Sequence, residues 1–402
     1  MALWIPPRQV EKRVARVRVL ILHSRYLSGA MSGENRVVDD EVEMLRRGGH
    51  DVTLLAPSAD RLSTPALVGR TFASIGVARS VADHVRTEKI DLVHCHNLYP
   101  TLGARVFHAA ASAGAAVLQT LHNYRWMCLA GTFYRDGHVC EDCLGRSTLP
   151  GVIHACYRGS RAESTVLSAS IARTRAAGTL TSVDRFLAVS DFVRTKHVEN
   201  GFPAERVVVK RNVVAPSDRR VGPGRYFLVL SRLSPEKGVA ELVEAWGPDL
   251  GELRIVGDGP ERAAIERLAR DRGVDVERPV APDEVPSLLL GARALLVPSV
   301  CYESSPRVAV EAYAAGVPVI ASRIGGLPEA VVEGETGLTV RPGERGGWAE
   351  AARLLLDDDI SCRFGEAAYT RWRSEFTPER GLAALESAYA DALEHKARRG
   401  SA

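Results

Sequence analysis

The sequence predicts an α/β protein built from two doubly wound parallel-sheet domains that face each other across a cleft. Short apolar segments, bounded by Gly, Pro or polar residues, alternate with segments of helical periodicity along the chain. A polar link rich in Pro, Gly and charge at 215–224 divides this alternation into two series. The length of 402 residues suffices for two domains, each with its own core.

Each apolar segment in these series predicts a buried strand, and the intervening helices make both sheets parallel. The first series places strands near 17–23, 51–56, 91–95, 116–121, 185–190 and 206–210. The second places strands near 226–231, 252–256, 293–298, 317–322 and 338–341. A segment at about 370–398 is helical in pattern. Ligands of doubly wound sheets bind at the carboxyl ends of the strands, so the loops that follow them are the candidate site.

Composition narrows the class of protein. The chain is 46% hydrophobic and 25% charged, with a formal net charge of +3. It has no block of like charges beyond a loose basic start at Lys12, Arg13, Arg16 and Arg18, so nucleic-acid binding is not expected. That start is either a solvated leader or a weak contact for anionic lipid. Neither a spanning segment of about 18 apolar residues nor a secretory leader is evident, which predicts a cytoplasmic protein.

The strand near 293–298 is followed by a clear helix start. Ser305 is a good N-cap and Pro306 is tolerated at the first helical position, which predicts a helix over 306–315 that stops at Gly316. The start of such a helix offers free N–H groups and a positive dipole end, and both suit a phosphate.

Two acids flank this helix start. Glu303 precedes it and Glu311 lies one and a half turns inside, where each can accept hydrogen bonds from sugar or ribose hydroxyls. Ala and Val surround Glu311 along the helix, so a buried acid there needs a partner. The alternative is that both acids are solvated surface residues.

The loop at 231–238 carries two cations, Arg232 and Lys237, directly after a strand. They can grip adjacent phosphates, or they are ordinary surface cations. The run Asp357–Asp359 is typical of a solvated helix end, so no catalytic metal is expected.

Two loops of the first domain complete the candidate site. The glycine-containing loop at 28–36 lets backbone approach a ligand, with Gly33 as the expected contact. His122 follows the strand near 116–121 and is the catalytic candidate of this domain. The alternative for a histidine after an apolar strand is a structural, hydrogen-bonded role. That alternative is preferred for three other histidines: His94, His96 and His108.

The segment PSVCYESSPRVAVEAYAAGVPVIASRIGGLPEAVVEGETGL at 298–338 resembles the donor site of glycosyltransferase family 4, and weaker similarity covers about 17–395. The resemblance implies the GT-B fold, with two Rossmann-like domains. It implies an acceptor-binding domain over 14–214, a nucleotide-sugar domain over 215–370, and a helix over 371–398 that returns to the first domain.

By the same resemblance, Glu303 contacts the donor sugar, Glu311 the ribose, and Arg232 with Lys237 the diphosphate. His122 then contacts the donor sugar and the transition state. The implied catalytic set is His122, Arg232, Lys237 and Glu303. Further implied donor contacts are Gly33, Gly257, Val280, Ser304, Ser305, Pro306 and Arg307, of which the second and third fall where the family holds the base and ribose.

The implied activity is that of a retaining hexosyltransferase working by front-side displacement without a catalytic metal. A hexose would pass from a UDP or GDP donor to a hydroxyl of a sugar, cyclitol, natural-product or lipid-linked acceptor. Ser304 to Arg307 replace the Gly-Phe-Gly-Leu of many members, and Val280 replaces a common glycine, so neither donor sugar nor base can be read. The alternatives are a GT-B epimerase or phosphorylase and a non-catalytic binding protein. Oligomeric state is not predicted.

An insertion at 128–160 holds four of the seven cysteines. Cys128, Cys140, Cys143 and Cys156 suit a structural zinc site that staples a long polar loop; ordinary buried thiols or a disulfide are the alternatives. The insertion resembles one in a subset of family 4, and its implied place over the cleft suggests acceptor binding. Six residues are the acceptor candidates, with packing as the alternative: Asn97, Tyr99, Asn123, Tyr124, Arg125 and Trp126.

Overall fold

The computed structural model describes residue 12 and residues 14–25, 32–58, 74–270 and 272–400. Two six-stranded sheets form the frame, and every strand pair in them is parallel. In the first sheet the strands lie side by side in the order 51–55, 18–22, 92–95, 116–121, 185–188 and 207–209. In the second sheet the order is 274–277, 253–256, 226–230, 292–297, 319–322 and 337–340. The predicted pair of doubly wound α/β domains is therefore confirmed.

The N-terminal sheet consists of β1 (Arg18–Leu22), β2 (Asp51–Leu55), β3 (Leu92–Cys95), β4 (Ala116–Leu121), β7 (Arg185–Ala188) and β8 (Val207–Val209). Its helices are α1 (Gly33–Arg47), α2 (Ile75–Thr87), α3 (Arg105–Ser112), α4 (Leu149–Ile153), α5 (Arg161–Ala176) and α6 (Asp191–Glu199). A short hairpin in the insertion is formed by β5 (Tyr134–Arg135) and β6 (His138–Val139).

The C-terminal sheet consists of β9 (Tyr226–Leu230), β10 (Leu253–Val256), β11 (Val274–Glu277), β12 (Ala292–Val297), β13 (Val319–Ser322) and β14 (Gly337–Val340). Its helices are α7 (Val239–Ala245), α8 (Arg262–Ala269), α9 (Val285–Gly291), α10 (Arg307–Ala314), α11 (Leu327–Ala330), α12 (Arg345–Leu355) and α13 (Asp358–Glu375). The last helix is α14 (Pro378–Gly400).

Both sheets are buried on two faces, which is why their strands are apolar throughout. In β1, Leu20 and Leu22 enter one core cluster while Val19 and Ile21 enter the cluster on the other face. Helix α14 contributes to that second cluster through Tyr389, whose hydroxyl lies 3.0 Å from Nδ1 of His94 on β3. The last helix therefore packs on the first sheet rather than on the second.

Several expected details change in the structure. Helix α10 starts at Arg307 because Pro306 keeps extended angles (φ −69°, ψ 115°). No side chain caps this helix, so the prediction that Ser305 is its N-cap is wrong. The helix predicted near 370–398 is the end of α13 followed by α14. Strand β11 and the β5–β6 hairpin were not predicted. Of the basic start, Lys12 lies against α14, paired with Asp391 at 2.9 Å, while residue 13 is outside the described part.

The strand order of each sheet indicates where a ligand can bind. Strand order reverses between β1 and β3 in the first sheet and between β9 and β12 in the second. Loops that leave adjacent parallel strands in opposite directions open a crevice at such a point. No helix among the described ranges is long and apolar enough to cross a lipid bilayer.

Candidate donor and acceptor sites between the domains

The loops after β9 and β12 bring a lysine and a glutamate together. Lys237 Nζ donates to Glu303 Oε1 at 2.5 Å, and Ser299 Oγ donates to the same oxygen at 2.6 Å. A backbone bond of 3.0 Å from Val300 N to Glu236 O ties the two loops. Gly238 makes the approach feasible, since a Cβ there would lie 2.1 Å from the Pro298 carbonyl oxygen. Two residues that the sequence predicts separately for the site thus meet at the strand reversal of the second sheet.

Both members of this pair are charged. Burial alone would raise the pKa of Glu303, but the Lys237 ammonium and the Ser299 hydroxyl hold it below its ordinary value. Burial acts in the opposite sense on Lys237, and the Glu303 carboxylate keeps the pKa of that ammonium above its ordinary value. The carboxylate and the lysine are 13% and 26% exposed. The loop pair therefore presents a fixed, partly desolvated cation beside a carboxylate.

Arg232 lies at the rim rather than beside Lys237. Its side chain is 63% exposed and forms an ion pair with Glu236, which Ser234 Oγ also contacts at 2.8 Å. Arg232 and Lys237 share a loop, as predicted, but only Lys237 contacts Glu303.

Glu311 has partners from both domains. Arg307 Nε donates to its Oε1 at 2.8 Å, and Arg36 of α1 lies 3.4 Å from the same oxygen. Arg307, only 9% exposed, also pairs with Asp40 of α1. Burial raises the pKa of Asp40, an effect that Arg307 opposes. The acid that the sequence marked as needing a partner therefore has two arginines, one of them across the cleft.

The remaining donor candidates are spread around these loops. Gly33 is the first residue of α1 with open space at its Cβ position, while 28–31 of its predicted loop lie outside the described residues. Gly257 is required by packing, because a Cβ would lie 1.9 Å from the Ser231 carbonyl oxygen. Ser304 follows Glu303 and packs against Gly326, where a Cβ would lie 2.4 Å from the Ser304 carbonyl oxygen.

Three predicted donor residues line other cavities. Ser305 and Pro306 line a cavity of about 20 Å³ between the domains, together with Glu329. Val280 lines a separate open cavity with Tyr226 and Arg254. Neither cavity is lined by Lys237 or Glu303.

In the first domain, the half-buried His122 adjoins three buried histidines that lie in or directly after β1 and β3, namely His23, His94 and His96. His122 Nε2 shares a hydrogen bond of 2.8 Å with His96 Nδ1, and the two rings stack with centroids 5.1 Å apart. His96 Nε2 lies 3.6 Å from Glu41 Oε2, and Glu41 forms an ion pair with Lys210. This series of contacts orients His122. Its Nε2 is used in the hydrogen bond to His96, so its Nδ1 is the ring nitrogen left for other contacts.

Burial keeps these histidines neutral. It lowers the pKa of His23 and of His94 to about 4, and that of His96 and His122 well below the ordinary value, with neighbouring positive groups adding to the effect on the last two. In the unfolded chain all four would titrate near pH 6.5.

Acid should therefore unfold the protein. Because the folded-state pKa values are depressed, the stability is complete above about pH 6.5 and is lost as pH falls toward 4. We expect the free energy of unfolding to fall by at least about 2 kcal/mol between pH 7 and pH 5.5, measured as urea midpoints. His94→Gln should flatten this slope, whereas substitution of the exposed His138 should not. A flat profile would contradict buried neutral histidines.

Glu41, His94 and His96 have side chains of the kind that bind metals, and their possible ligand atoms lie within 4.8 Å of one another. Both ring nitrogens of His94 are already engaged, by Tyr389 at 3.0 Å and Thr120 at 2.8 Å. The Glu41 carboxylate has the Lys210 ammonium as its counter-ion. These residues therefore do not fit a metal.

Five of the six acceptor candidates share one cavity. A pocket of about 20 Å³ at the carboxyl ends of β3 and β4 is lined by His122 and by Asn97, Tyr99, Asn123, Arg125 and Trp126. Tyr124 is elsewhere: it is 1% exposed, and its hydroxyl lies 3.5 Å from the Glu303 carbonyl oxygen. Tyr124 is therefore a contact between the domains, and it does not line the cavity that the other five candidates share.

Sequence reasoning missed most contacts across the cleft. Glu329, in the GGLPE segment, accepts from the backbone N–H groups of Asp191 (2.8 Å) and Phe192 (2.6 Å) at the start of α6. Arg36 and Asp40, which contact Glu311 and Arg307 across the cleft, were also missed, as was Glu41 within the first domain. The i, i+4 spacing of Arg36 and Asp40 on α1 was a readable signal for one polar face.

Comparison with known proteins agrees with this architecture. Residues 31–218 match the family described as Glycosyltransferase Family 4, and residues 224–358 match Glycosyl transferases group 1. The D-inositol 3-phosphate glycosyltransferase of Corynebacterium glutamicum (strain R) is 38% identical over 180 residues, 41% of this chain and 43% of that protein. The N-acetyl-alpha-D-glucosaminyl L-malate synthase of Bacillus anthracis is 31% identical over 202 residues, 48% and 52% of the two chains. The alignments thus span about half the length of these relatives.

Solved structures resemble the whole chain at low sequence identity. A glycosyltransferase from Rickettsia africae ESF-5 superposes with a TM-score of 0.68 at 17% identity, covering 95% of this chain and 100% of that one. Anabaena Alr3699/HepE in complex with UDP and glucose gives 0.62 at 18% identity, covering 92% and 98%. The protein therefore has the GT-B fold, with a first domain similar to the Glycosyltransferase Family 4 model and a second domain similar to the Glycosyl transferases group 1 model.

Proposed function

We propose that this protein transfers a hexose-type sugar from a nucleoside diphosphate, UDP or GDP, to a hydroxyl of a polar acceptor, with retention of configuration and without a catalytic metal. The observation that carries the proposal is the Lys237–Glu303 pair, which joins a fixed cation to a carboxylate where the second sheet opens its crevice. The lysine cation can bind a diphosphate, and the carboxylate can accept a hydrogen bond from a sugar hydroxyl.

The chemistry follows from these two groups. The acceptor oxygen bonds to the anomeric carbon while the bond from that carbon to the donor phosphate breaks, and the acceptor proton passes to the departing phosphate oxygen. Lys237 stabilises the charge that develops on this phosphate, and Glu303 orients the sugar. Glu311 accepts from the ribose once Arg307 and Arg36 share it with the ligand. His122, neutral and oriented by His96, supplies a hydrogen bond at the sugar from its remaining nitrogen.

The relatives support both ends of the reaction. One similar structure holds UDP and glucose, which favours a nucleotide-sugar donor. By their names, the curated relatives act on inositol phosphate and on malate, small polar molecules that carry hydroxyl groups. The cavity around His122 offers amide, phenol, indole and guanidinium groups for such an acceptor. A sugar or cyclitol is therefore the acceptor class to test first.

Donor hydrolysis tests the proposal without knowledge of the acceptor. UDP-sugars and GDP-sugars are incubated with the protein, and free nucleoside diphosphate is measured beside the configuration of the released or transferred sugar. Slow nucleotide release that accelerates with a polyol acceptor supports transfer. Conversion of the donor sugar without nucleotide release indicates an epimerase, and binding without turnover indicates a non-catalytic protein; either result overturns the proposal.

The absence of a catalytic metal gives a separate prediction. Because Lys237 supplies the positive charge at the diphosphate, we expect donor hydrolysis rates with Mg²⁺ and with EDTA to agree within about twofold. The zinc content of the EDTA sample is measured in parallel, so that loss of a structural ion is not mistaken for loss of a catalytic one. A rate restored only by Mg²⁺ or Mn²⁺ would contradict fixed-cation catalysis.

A further inference from the structure

The insertion gathers its four cysteines around one small cavity. Cys128, Cys140, Cys143 and Cys156 all line a space of about 20 Å³, although they lie in loops and turns spread over residues 128–156. None of the four forms a disulfide in the structure. Such a cavity is large enough for a single ion or one water molecule.

Backbone groups are aimed at two of the sulfurs. The N–H of Asp142 donates to the Cys140 sulfur, and the N–H of Gly151 donates to the Cys143 sulfur. Hydrogen bonds to the ligand atoms are a usual part of a metal site, because they fix the orientation of the ligands.

A cation of the protein already faces the same space. Arg135 of β5 lines the cavity, and its guanidinium contacts Asp142 at 3.0 Å and Asp136 at 3.3 Å. Four thiolates around a divalent ion carry an excess of two negative charges. Arg135 offsets part of that charge and at the same time fixes the loop that holds Cys140 and Cys143.

The insertion has little regular structure of its own. Its regular structure is a hairpin with two residues in each strand and a helix of five residues. A two-stranded hairpin of this size is unstable in isolation. A cross-link among the cysteines would add to the packing of Leu129 and Phe133 in the core of the first domain.

We propose that the four cysteine sulfurs bind one Zn²⁺ ion in a tetrahedral site that holds the insertion against the loop after β12, which carries Tyr302 and Glu303. No three of these sulfurs lie within 4.8 Å of one another, so ligation draws them together around the cavity. The insertion contacts this loop directly, since the Phe133 and Tyr302 rings lie 5.8 Å apart. It also contacts the loop through Lys196, which pairs with Glu141 and whose ammonium lies 5.7 Å from the Tyr302 ring.

Metal analysis of the purified full chain tests the site without any nucleotide. We expect one zinc per chain, and a fall to background in each of the four Cys→Ser variants. Cys362→Ser is the matched control, since this thiol is exposed and distant in sequence, and it should keep its zinc. Substitution of Co²⁺ should give the visible and thiolate charge-transfer bands of a tetrahedral sulfur site.

Wild-type protein keeps the test decisive if the variants fail to fold. Titration with a mercurial thiol reagent should release one zinc, in step with loss of four thiols. A disulfide within the insertion, or four free thiols with zinc at trace level, would overturn the proposal. Because donor hydrolysis plays no part in these measurements, failure of the zinc site and failure of the transferase proposal remain distinguishable.

Discussion

Replacement of Lys237 by alanine is expected to lower the turnover of donor hydrolysis and transfer by about 100-fold, or ~3 kcal/mol of barrier. Lys237 is the cation that contacts Glu303 at 2.5 Å in a partly desolvated position. Its attraction for the departing phosphate grows as charge develops there. Loss of such an interaction lowers kcat more than it raises KM.

The pH profile of this variant separates catalysis from a general structural defect. Lys237 opposes the rise that burial would give the pKa of Glu303, so its removal raises that pKa. Glu303 must be ionised to accept from the sugar. The residual activity of Lys237→Ala should therefore disappear at a higher pH on the acid side than that of the wild type. A variant that is only misfolded would lose activity evenly across the profile.

Two matched substitutions frame the result. Arg232→Ala removes a cation from the same loop but at the exposed rim, so its effect should be smaller. Lys89→Ala removes an exposed lysine of the first domain and should leave rates unchanged. Wild-type turnover in Lys237→Ala would remove this residue from the mechanism, together with the proposal that a fixed cation replaces a metal.

The strands were predictable because parallel strands buried on two faces are continuous apolar segments. All six strands of the first sheet and five of the second were found within about two residues. Strand β11 escaped because it lies at the sheet edge and alternates valine with acids, Val274 to Glu277. The hairpin β5–β6 is too short for any periodicity.

The site divides in the same way. Lys237 and Glu303 were each predictable as site residues, because both follow strands that end at the same edge of one sheet, but their contact with each other was not predicted. Arg307 and Glu311 stand at i, i+4, so that pair was also readable locally. Asp40 on the opposite domain was not, because nothing in the local sequence encodes how the two domains dock. The same applies to Tyr124, whose position near Glu303 exists only across the cleft.

The second large effect concerns stability. Lys210→Met is expected to lower the free energy of unfolding by about 3–5 kcal/mol, because it leaves the Glu41 carboxylate buried without its counter-ion. Both side chains are 2% exposed in the native structure. The nearest histidine, His96, lies 3.6 Å from the other carboxylate oxygen and is itself neutral for lack of solvent. Urea denaturation at pH 8 provides the measurement.

The pH dependence and a double substitution decide whether the buried charge is the cause. In the native protein the Lys210 charge helps burial to lower the pKa of His96, so the folded Lys210→Met variant binds a proton at His96 more readily, and the loss of stability should be larger at pH 8 than at pH 6. Glu41→Gln combined with Lys210→Met removes both charges and should recover more than half of the loss. Lys89→Met, at an exposed position, should change stability by less than about 0.5 kcal/mol. If the double variant is as unstable as the single one, packing of the lysine stem rather than charge compensation holds the histidine group and His122 in place.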